Sequence, residues 1–285
     1  MALCACLLMA VGCKTKKGPA GPVDERVLDL GGGLTVELVL IPAGEFTMGS
    51  PDSEPTPAFH SDTESLQHKV KITKPFYMSK YPITREQCLR FTKWYVSDFH
   101  DPKQYPDIAT NGRLPADSVA WNDCTDWCKE AAKQTGRNVR LPTEAEWEYA
   151  CRAGTTTAFY CGETLLPEYA CFDSSGMPGG KKHLHPDPVG SYKPNAFGLY
   201  DMHGNMGQWV QDNMHDNYEN APADGSAWKN TKEVCLHVYR GGSWLNSDEV
   251  CRSAMRCAGG SDDSPDLRTN TVGFRIVVEA KAQNP

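Results

Sequence analysis

The sequence predicts one α+β domain with little regular secondary structure and many loops. Short stretches in which apolar and polar residues alternate occur near both ends of the chain, and they are typical of strands. Helix start signals are fewer and lie in the middle of the chain. The 285 residues include 25 glycines and 20 prolines, slightly above ordinary usage, which favours turns. We find no internal repeat and no second domain, and we assign the folded domain to residues 26–281.

Several strands are predicted in the first third of the chain, each bounded by turn residues. Gly31–Gly33 separates the first pair, and Pro42–Gly44 separates the second strand from the third. A polar, proline-rich loop at residues 51–66 precedes the last two. The predicted strands are 27–30, 33–41, 45–48, 68–72 and 76–78.

Two helices are predicted from side-chain caps. Thr84 and Thr143 each precede a helical pattern, and Gln87 and Glu146 stand three residues later, which is the capping-box spacing. The first of these helices is expected to run on to Trp94. The second is expected to be amphipathic and to pack its aromatic residues inward.

A third helix is predicted between them, from near Asn122 to Gly136, because glycine commonly ends a helix. Its apolar face carries Cys124, Trp127, Cys128 and Ala131. No periodic pattern remains between residues 154 and 194, so we expect loops there. Two terminal core strands are expected at 236–244 and 272–278.

Charge and apolar runs exclude some classes of partner. The net charge is −7 and the charged residues are dispersed, so no basic surface for nucleic acid is expected. The apolar run Ala2–Gly12 is too short to span a membrane, and it is typical of the hydrophobic part of an export signal.

Residues 1–13 end in Ala10–Cys13, a segment that resembles a bacterial lipobox. On this interpretation Cys13 carries a lipid and residues 14–25 form a flexible tether. The protein is then exported to the periplasm or cell envelope and meets the membrane only through its lipid anchor. The alternative is a plain signal peptide in which Cys13 occurs by chance.

Cysteine usage bears on the redox compartment. Of the 12 cysteines, Cys4, Cys6 and Cys13 precede the folded part, which leaves an odd number inside it. Disulfides are the default in an exported protein, yet at least one thiol stays free or pairs outside the domain. No zinc-finger spacing occurs, so a structural zinc site is not expected. The pairing stays open for Cys88, Cys124, Cys128, Cys161, Cys171 and Cys235.

Characteristic segments stand in a fixed order along the chain: Ile41–Gly49, Lys80–Thr84, Arg140–Ala150, Asn195–Met202, Gly204–Asn205, Arg240–Trp244 and Val272–Arg275. Together they resemble the formylglycine-generating-enzyme family, also called the sulfatase-modifying-factor family. The resemblance covers about residues 36–280. It implies a loop-rich variant of the C-type-lectin fold with bound calcium.

The resemblance implies a calcium loop at Asp201–Gln208. In the family, two side-chain oxygens and two backbone carbonyls surround the ion, and flexible oxygen ligands of this kind suit calcium. The corresponding ligands here are Asp201, the Gly204 and Met206 carbonyls, and Gln208. The family commonly has Glu at the Gln208 position, so this site carries less charge. The alternative is a hydrogen-bonded turn without metal.

Enzymes of this family oxidise a sulfatase cysteine to formylglycine with molecular oxygen, at a Cu(I) site built from two cysteines. Two thiolates are needed because soft ligands favour Cu(I). Here Asn246 stands where the first cysteine is expected, and Cys251 matches the second. Counting back from residues 272–275 places Arg252 there instead. Ser243 and Arg252 remain as further equivalents of catalytic residues, but one thiolate is missing.

Cystines form a further set of expectations. The resemblance implies a bridge between Cys151 and Cys257, which match a structural cystine of the enzymes. An exported chain offers two more candidate bridges. These are Cys161–Cys171 and Cys235–Cys251.

Two of the histidines are candidates for a second metal site. His183 and His185 lie two residues apart beside Asp187, a set that can hold iron or zinc. No third partner is identifiable from the sequence, so solvated loop histidines are the favoured interpretation.

Three functions remain, and enzymatic activity stays open. The favoured one is an exported scaffold that lacks the complete copper dithiolate and presents a surface to a protein or glycan. The second is an active formylglycine-generating oxidase whose partner is a sulfatase. The third is a variable lectin-like receptor, since such receptors also end in a segment similar to Gly241–Trp244 and Val272–Arg275.

Overall fold

The computed structural model describes residues 26–54, 63–93, 95–178, 180–230, 235–261 and 267–280. The helices in that part of the chain are α1 (Arg85–Leu89), α2 (Trp121–Thr135) and α3 (Glu144–Arg152), with a 3-10 turn at Asp248–Cys251. The strands are β1 (Val27–Gly31), β2 (Leu34–Ile41), β3 (Gly44–Met48), β4 (His68–Ile72), β5 (Phe76–Ser79), β6 (Val139–Arg140), β7 (Gly207–Asn213), β8 (Leu236–Arg240), β9 (Arg256–Ser261), β10 (Val272–Phe274) and β11 (Val277–Glu279). The predicted loop-rich α+β class is confirmed. The predicted lipobox and tether lie outside the described residues.

The larger sheet has the strand order β1-β2-β5-β11-β6, and its neighbouring strands are antiparallel. Helix α2 lies against β1 and β6. It buries the predicted face of Cys124, Trp127, Cys128 and Ala131. The helix stops at Gly136, whose φ of 66° is easy for glycine and costly for a residue with a Cβ.

The smaller sheet has the order β10-β7-β8-β9, with β10 parallel to β7 and the other pairs antiparallel. Strand β7 was not predicted. It is buried along almost its whole length, so its sequence lacks the apolar–polar alternation that marks a half-buried strand. A separate hairpin is formed by β3 and β4.

The single strand predicted at 272–278 is wrong in one respect. Strand β10 belongs to the smaller sheet and β11 to the larger one, so the chain crosses between sheets at Arg275 and Ile276. Both crossing residues are completely buried. The Arg275 guanidinium donates hydrogen bonds to the carbonyls of Ser79 and Tyr200 at 2.8 and 2.7 Å. The crossing therefore brings a buried cation to the junction of the two sheets.

Both predicted capping boxes are confirmed, at Thr84 with Gln87 and at Thr143 with Glu146. Helix α1 nevertheless ends at Leu89 and is shorter than predicted. The carbonyl of Cys88 accepts from the hydroxyl and the N–H of Thr92 and also from the N–H of Phe91, so the regular helical pattern ends at this shared acceptor. Trp94 lies outside the described residues.

Buried ion pairs join helix α3 to the smaller sheet. Glu148 on α3 accepts from Arg152 at 2.9 Å and also pairs with Arg240 on β8. Glu144 accepts from Arg256 on β9 at 2.7 Å. These pairs fix α3 against β8 and β9, the two strands that are joined by residues 241–255. Within the described residues, no helix has the length and apolar character needed to cross a bilayer.

Candidate functional site

The loop after β8 carries the residues for which copper chemistry was considered. Gly241 and Gly242 turn the chain with φ of 97° and 66°. The hydroxyl of Ser243 then donates a 2.7 Å hydrogen bond to Oδ1 of Asn246. Asn246 stands at the position of the first expected thiol, and its side-chain carbonyl is therefore hydrogen-bonded to a residue of the same turn.

Cys251 lies below this turn and is completely buried. Its neighbours form an apolar cluster of Ala158, Phe159, Leu165, Ala170 and Phe172. A Cβ built on Gly242 would stand 2.6 Å from the Cys251 sulfur, so the glycine lets the loop close over the thiol. Burial raises the pKa of Cys251, and a protonated, enclosed thiol is a poor nucleophile.

Arg252 points away from Cys251 into a carboxylate cluster. Its guanidinium donates to both oxygens of Glu64, at 2.6 and 2.8 Å, and to Glu54 at 2.6 Å. A bidentate pair of this kind fixes the loop that contains Glu64. Ser243, Cys251 and Arg252 thus lie in three different environments, and the donors present do not fit a two-thiolate Cu(I) centre.

The expected calcium loop is occupied by hydrogen bonds of the protein. Oε1 of Gln208 accepts from Nε of Arg275 at 2.6 Å and from the indole of Trp147 at 2.7 Å. Both partners are donors only, so the orientation of the amide is fixed. Its NH₂ group donates to the carbonyls of Asp201 and Met206, at 2.8 and 3.3 Å. Gln208 therefore offers this turn a donor rather than an oxygen ligand.

Asp201 is the acidic member of that turn. Its Oδ2 accepts from the Gly190 amide at 2.8 Å, while its buried Oδ1 has no hydrogen-bond partner. Burial raises the pKa of Asp201 to about 6. One unpaired oxygen is far from the 6–8 oxygens that calcium takes. With Gln208 turned this way, the set Asp201, Gly204, Met206 and Gln208 lacks one of its expected oxygen ligands, and calcium binding at this turn stays a prediction.

The expected Cys151–Cys257 cystine is not formed. Cys151 and Cys257 are both free thiols in the structure. The sulfur of Cys151 lies 3.8 Å from the Ser253 hydroxyl, whereas Cys257 lies on β9 opposite Tyr239 of β8. The two thiols therefore have separate partners. The bridges Cys161–Cys171 and Cys235–Cys251 are not formed either.

The expectation of solvated loop histidines is wrong for His183, which is buried. Its Nδ1 lies 3.1 Å from the Cys171 sulfur and 3.6 Å from Oδ2 of Asp187. His185, by contrast, bonds the Pro186 carbonyl and does not join them. Cys171, the third member of the cluster, was not predicted from the sequence. The available signal was a cysteine in the same irregular segment, but only the fold shows that the two loops meet.

A wide groove lies at one end of the larger sheet, where β2, β5, β11 and β6 contribute to its lining, and it has a volume of about 1270 Å³. Its lining is mixed, with exposed Lys74, apolar Phe76 and the ion pair of Arg140 with Glu146. Asp224 lines it as well. Such a lining can donate and accept hydrogen bonds to a polar ligand and can contact its apolar faces.

Comparison with known proteins gives the following likenesses. Residues 33–280 match the family described as "Sulfatase-modifying factor enzyme 1-like domain". The chain is 30% identical over 262 residues to serine/threonine-protein kinase pkn1 of Chlamydia pneumoniae, covering 85% of this chain but only 38% of that protein. It is 29% identical over 299 residues to the formylglycine-generating enzyme of Streptomyces coelicolor, covering 85% of this chain and 89% of that enzyme.

Two solved structures share the architecture. PvdO from Pseudomonas aeruginosa superimposes with a TM-score of 0.74 at 33% identity, over 91% of this chain and 100% of that one. Treponema denticola variable protein 1 gives a TM-score of 0.72 at 22% identity, again over 91% and 100%. At that identity the second likeness shows the fold alone.

Proposed function

Because the chain belongs to the sulfatase-modifying factor enzyme 1-like family but lacks its paired thiols, we propose that it is a copper-independent binding member of that family. Its fold is the family's loop-rich α+β variant of the C-type-lectin fold. The proposed ligand is a protein or a glycan. A scaffold of this kind can keep its core segments after its chemistry is lost.

The observation that carries the proposal is the closure of the loop between Gly242 and Cys251. Asn246 is bonded to Ser243, and Cys251 is buried under Gly242. Copper chemistry on a substrate thiol needs two soft ligands that the substrate can approach. The loop offers one enclosed thiol and one hard amide, so binding without turnover is the function that these residues support.

The groove beside the larger sheet supports the binding part of the proposal. It places Lys74, the Arg140–Glu146 pair and Asp224 along one open surface. Alternating charges and apolar side chains suit an extended polar ligand such as a peptide or an oligosaccharide. The lipobox-like segment ending at Cys13 supports a position at the cell envelope, with the domain held on a lipid anchor by residues 14–25.

One alternative keeps the enzymatic role. The likeness to the Streptomyces coelicolor formylglycine-generating enzyme extends over most of that enzyme. On this alternative the partner is an exported sulfatase and the product is formylglycine. It requires a second thiol to reach Cys251, and the loop places Asn246 at that position.

A turnover assay separates the two functions. The purified protein is incubated with Cu(I), oxygen and a peptide with the CxPxR sulfatase sequence, beside an active formylglycine-generating enzyme as positive control. We expect an unchanged peptide mass with this protein. Formylglycine in the peptide would contradict the proposal.

Binding is tested on arrays of glycans and peptides. The variant Lys74→Glu reverses a charge in the groove, and Lys103→Glu makes the same change on an exposed loop that does not line it. We expect binding to weaken about tenfold or more in the first variant, as for the loss of a charge-assisted contact, and to be unchanged in the second. Equal binding by both variants would exclude the groove as the site.

A further inference from the structure

We infer that Cys171, His183 and Asp187 form a binding site for a zinc-class divalent cation. Their ligand atoms, Sγ, a ring nitrogen and a carboxylate oxygen, all lie within 4.8 Å of one another. The three residues come from the irregular segment between α3 and β7, and none of them belongs to the set Asp201, Gly204, Met206 and Gln208 or to the loop from Ser243 to Arg252. They combine the ligand types that zinc takes in proteins.

The spacing is close to that of a filled tetrahedral site. With Zn–S of about 2.3 Å and Zn–N or Zn–O of about 2.0–2.1 Å, neighbouring ligand atoms stand about 3.3–3.6 Å apart. The observed separations are 3.1 Å between Cys171 Sγ and His183 Nδ1, and 3.6 Å between that nitrogen and Asp187 Oδ2. These two separations therefore lie within about half an ångström of those in a filled site, and the third, between Cys171 and Asp187, is at most 4.8 Å.

Charge balance favours a divalent ion. Without an ion, Cys171 Sγ and His183 Nδ1 lie at hydrogen-bonding distance, 3.1 Å apart. A divalent cation displaces the thiol proton to solvent and forms a metal–sulfur bond. The resulting thiolate and the Asp187 carboxylate together neutralise the charge of the ion, which reduces the cost of burying it.

Neighbouring residues hold the ligands in place. The backbone N–H of Asn205 donates to the Cys171 carbonyl at 2.6 Å, and its side chain bonds both the N–H and the C=O of Asp187, at 2.9 and 3.1 Å. The hydroxyl of Tyr192 donates to Oδ2 of Asp187. Hydrogen bonds of this kind orient the residues that bind a metal, and they are typical of metal sites in proteins.

The exposure of the ligands predicts an open fourth position. The side chain of Asp187 is 24% exposed, whereas that of His183 is 6% exposed. Water can therefore reach the ion past Asp187 and complete a tetrahedron. Because one ligand is a thiolate, the site selects zinc-class ions over calcium and magnesium, which prefer oxygen ligands.

Cobalt(II) tests the site directly, since it takes zinc geometry and reports thiolate ligation by a charge-transfer absorption. The full mature protein is stripped with a chelator under reducing conditions and titrated with Co²⁺ and then Zn²⁺. We expect one equivalent of Co²⁺ to give the thiolate band and one equivalent of Zn²⁺ to abolish it. In Cys171→Ser the band is expected to disappear, and in His183→Gln the affinity is expected to fall at least tenfold.

Matched variants separate ligation from misfolding. Cys161→Ser and His185→Gln change a neighbouring thiol and a neighbouring imidazole outside the cluster, and both are expected to keep the band. Asp187→Asn replaces the most exposed ligand and is expected to fold and to bind at least tenfold more weakly. The inference is overturned by a wild-type protein that takes up no stoichiometric Co²⁺ with a thiolate band, or by a folded Asp187→Asn variant that binds as the wild type does. It is overturned as well if peptide mapping of the exported protein finds Cys171 in a disulfide.

Discussion

Nε of Arg275 donates a 2.6 Å hydrogen bond to Oε1 of Gln208 at the junction of the two sheets. This bond turns the amide NH₂ of Gln208 toward the carbonyls of Asp201 and Met206. A glutamate with the same orientation would present a second oxygen to those carbonyls and would need a cation between them. The pair thus explains physically how a calcium-type turn can be closed by the protein itself.

The first prediction concerns Gln208→Glu. In this variant the second carboxylate oxygen replaces the NH₂ group and faces the carbonyls of Asp201 and Met206 without a hydrogen to donate. A buried unsatisfied contact of this kind costs about 1–3 kcal/mol. We expect the melting temperature to fall in chelator and to recover in millimolar calcium, because the ion restores the attraction. Thermal unfolding with and without calcium measures both effects.

The wild-type protein is the control for that variant. Once ions of the zinc class have been removed from both proteins, the melting temperature of the wild type is expected to be the same with and without calcium, because the Gln208 amide already satisfies the turn. A clear calcium-dependent rise in the wild type would show that the turn binds the ion with Gln208 in place.

The second prediction concerns the buried carboxylate of Glu148. Glu148→Gln keeps the shape but removes the paired carboxylate of Arg152 and one of the two carboxylate partners of Arg240, which keeps Glu144. Removing one partner of a buried ion pair costs about 3–5 kcal/mol, so we expect a large loss in the unfolding free energy by urea titration. Asp126→Asn, which breaks the exposed pair with Lys129, is expected to cost less than about 1 kcal/mol. Similar losses in the two variants would refute the assignment.

The same residue predicts acid sensitivity. Burial acts to raise the pKa of Glu148, but Arg152 and Arg240 outweigh it and hold the pKa below its ordinary value of 4.5. The stabilising contribution is therefore complete above pH 4.5 and is lost as the pH falls through the lower folded value. Below pH 4.5 the wild type should lose stability more steeply than Glu148→Gln. Parallel curves in that range would contradict this.

The third prediction uses His203, which is completely buried. Its Nδ1 donates to the Cys251 carbonyl at 2.7 Å and its Nε2 accepts from the Tyr160 amide at 3.0 Å, so the ring is neutral. Burial lowers the pKa of His203 from 6.5 to about 3. The unfolded chain then takes up a proton that the folded chain does not, so stability falls as the pH drops from 6.5 toward 3.

Unfolding free energies between pH 7 and pH 4.5 measure this contribution, above the range in which Glu148 titrates. We expect His203→Gln to be less stable at pH 7 but to lose less stability as the pH falls. An unchanged slope in His203→Gln would show that another group is responsible.

The fourth prediction concerns thiol reactivity. Cys161 is half-buried, whereas the other eight cysteines of the domain are buried. Since alkylation requires an accessible thiolate, iodoacetamide should modify Cys161 first in the native protein and leave Cys251 unmodified. Peptide mass spectrometry after brief labelling locates the modified residue, with urea-unfolded protein as the control. Early labelling of Cys251 would mean that the loop over it opens.

Local signals were sufficient for most of the regular structure. The caps at Thr84 and Thr143 predicted helix starts that the structure confirms, and the alternation in 33–41 predicted β2. Strand β7 escaped because it is buried on both faces and therefore carries no alternation. The division of 272–278 into two strands was not predicted for a different reason. It depends on which sheet each half joins, and the local sequence does not show this.

The candidate sites were less predictable. The sequence placed Asn246 and Cys251 in one loop, but the enclosure of Cys251 depends on apolar residues more than 75 positions away, such as Phe172. It also named His183 and Asp187 without finding Cys171. The ligands of a metal site come from loops that lie close together in the folded protein, and the periodicity of a sequence does not indicate which loops do so.

The sequence by itself determined the family, the fold class and the absence of a second thiol at Asn246, because these depend on residue identity and local order. Only the tertiary structure decided what Gln208 donates to, where the Cys251 thiol is enclosed and which cysteine joins His183. Hydrogen-bond direction, burial and ligand geometry are properties of atoms brought together by long-range packing. Many different packings are compatible with the same local pattern, and for that reason these properties appear only after the chain has folded.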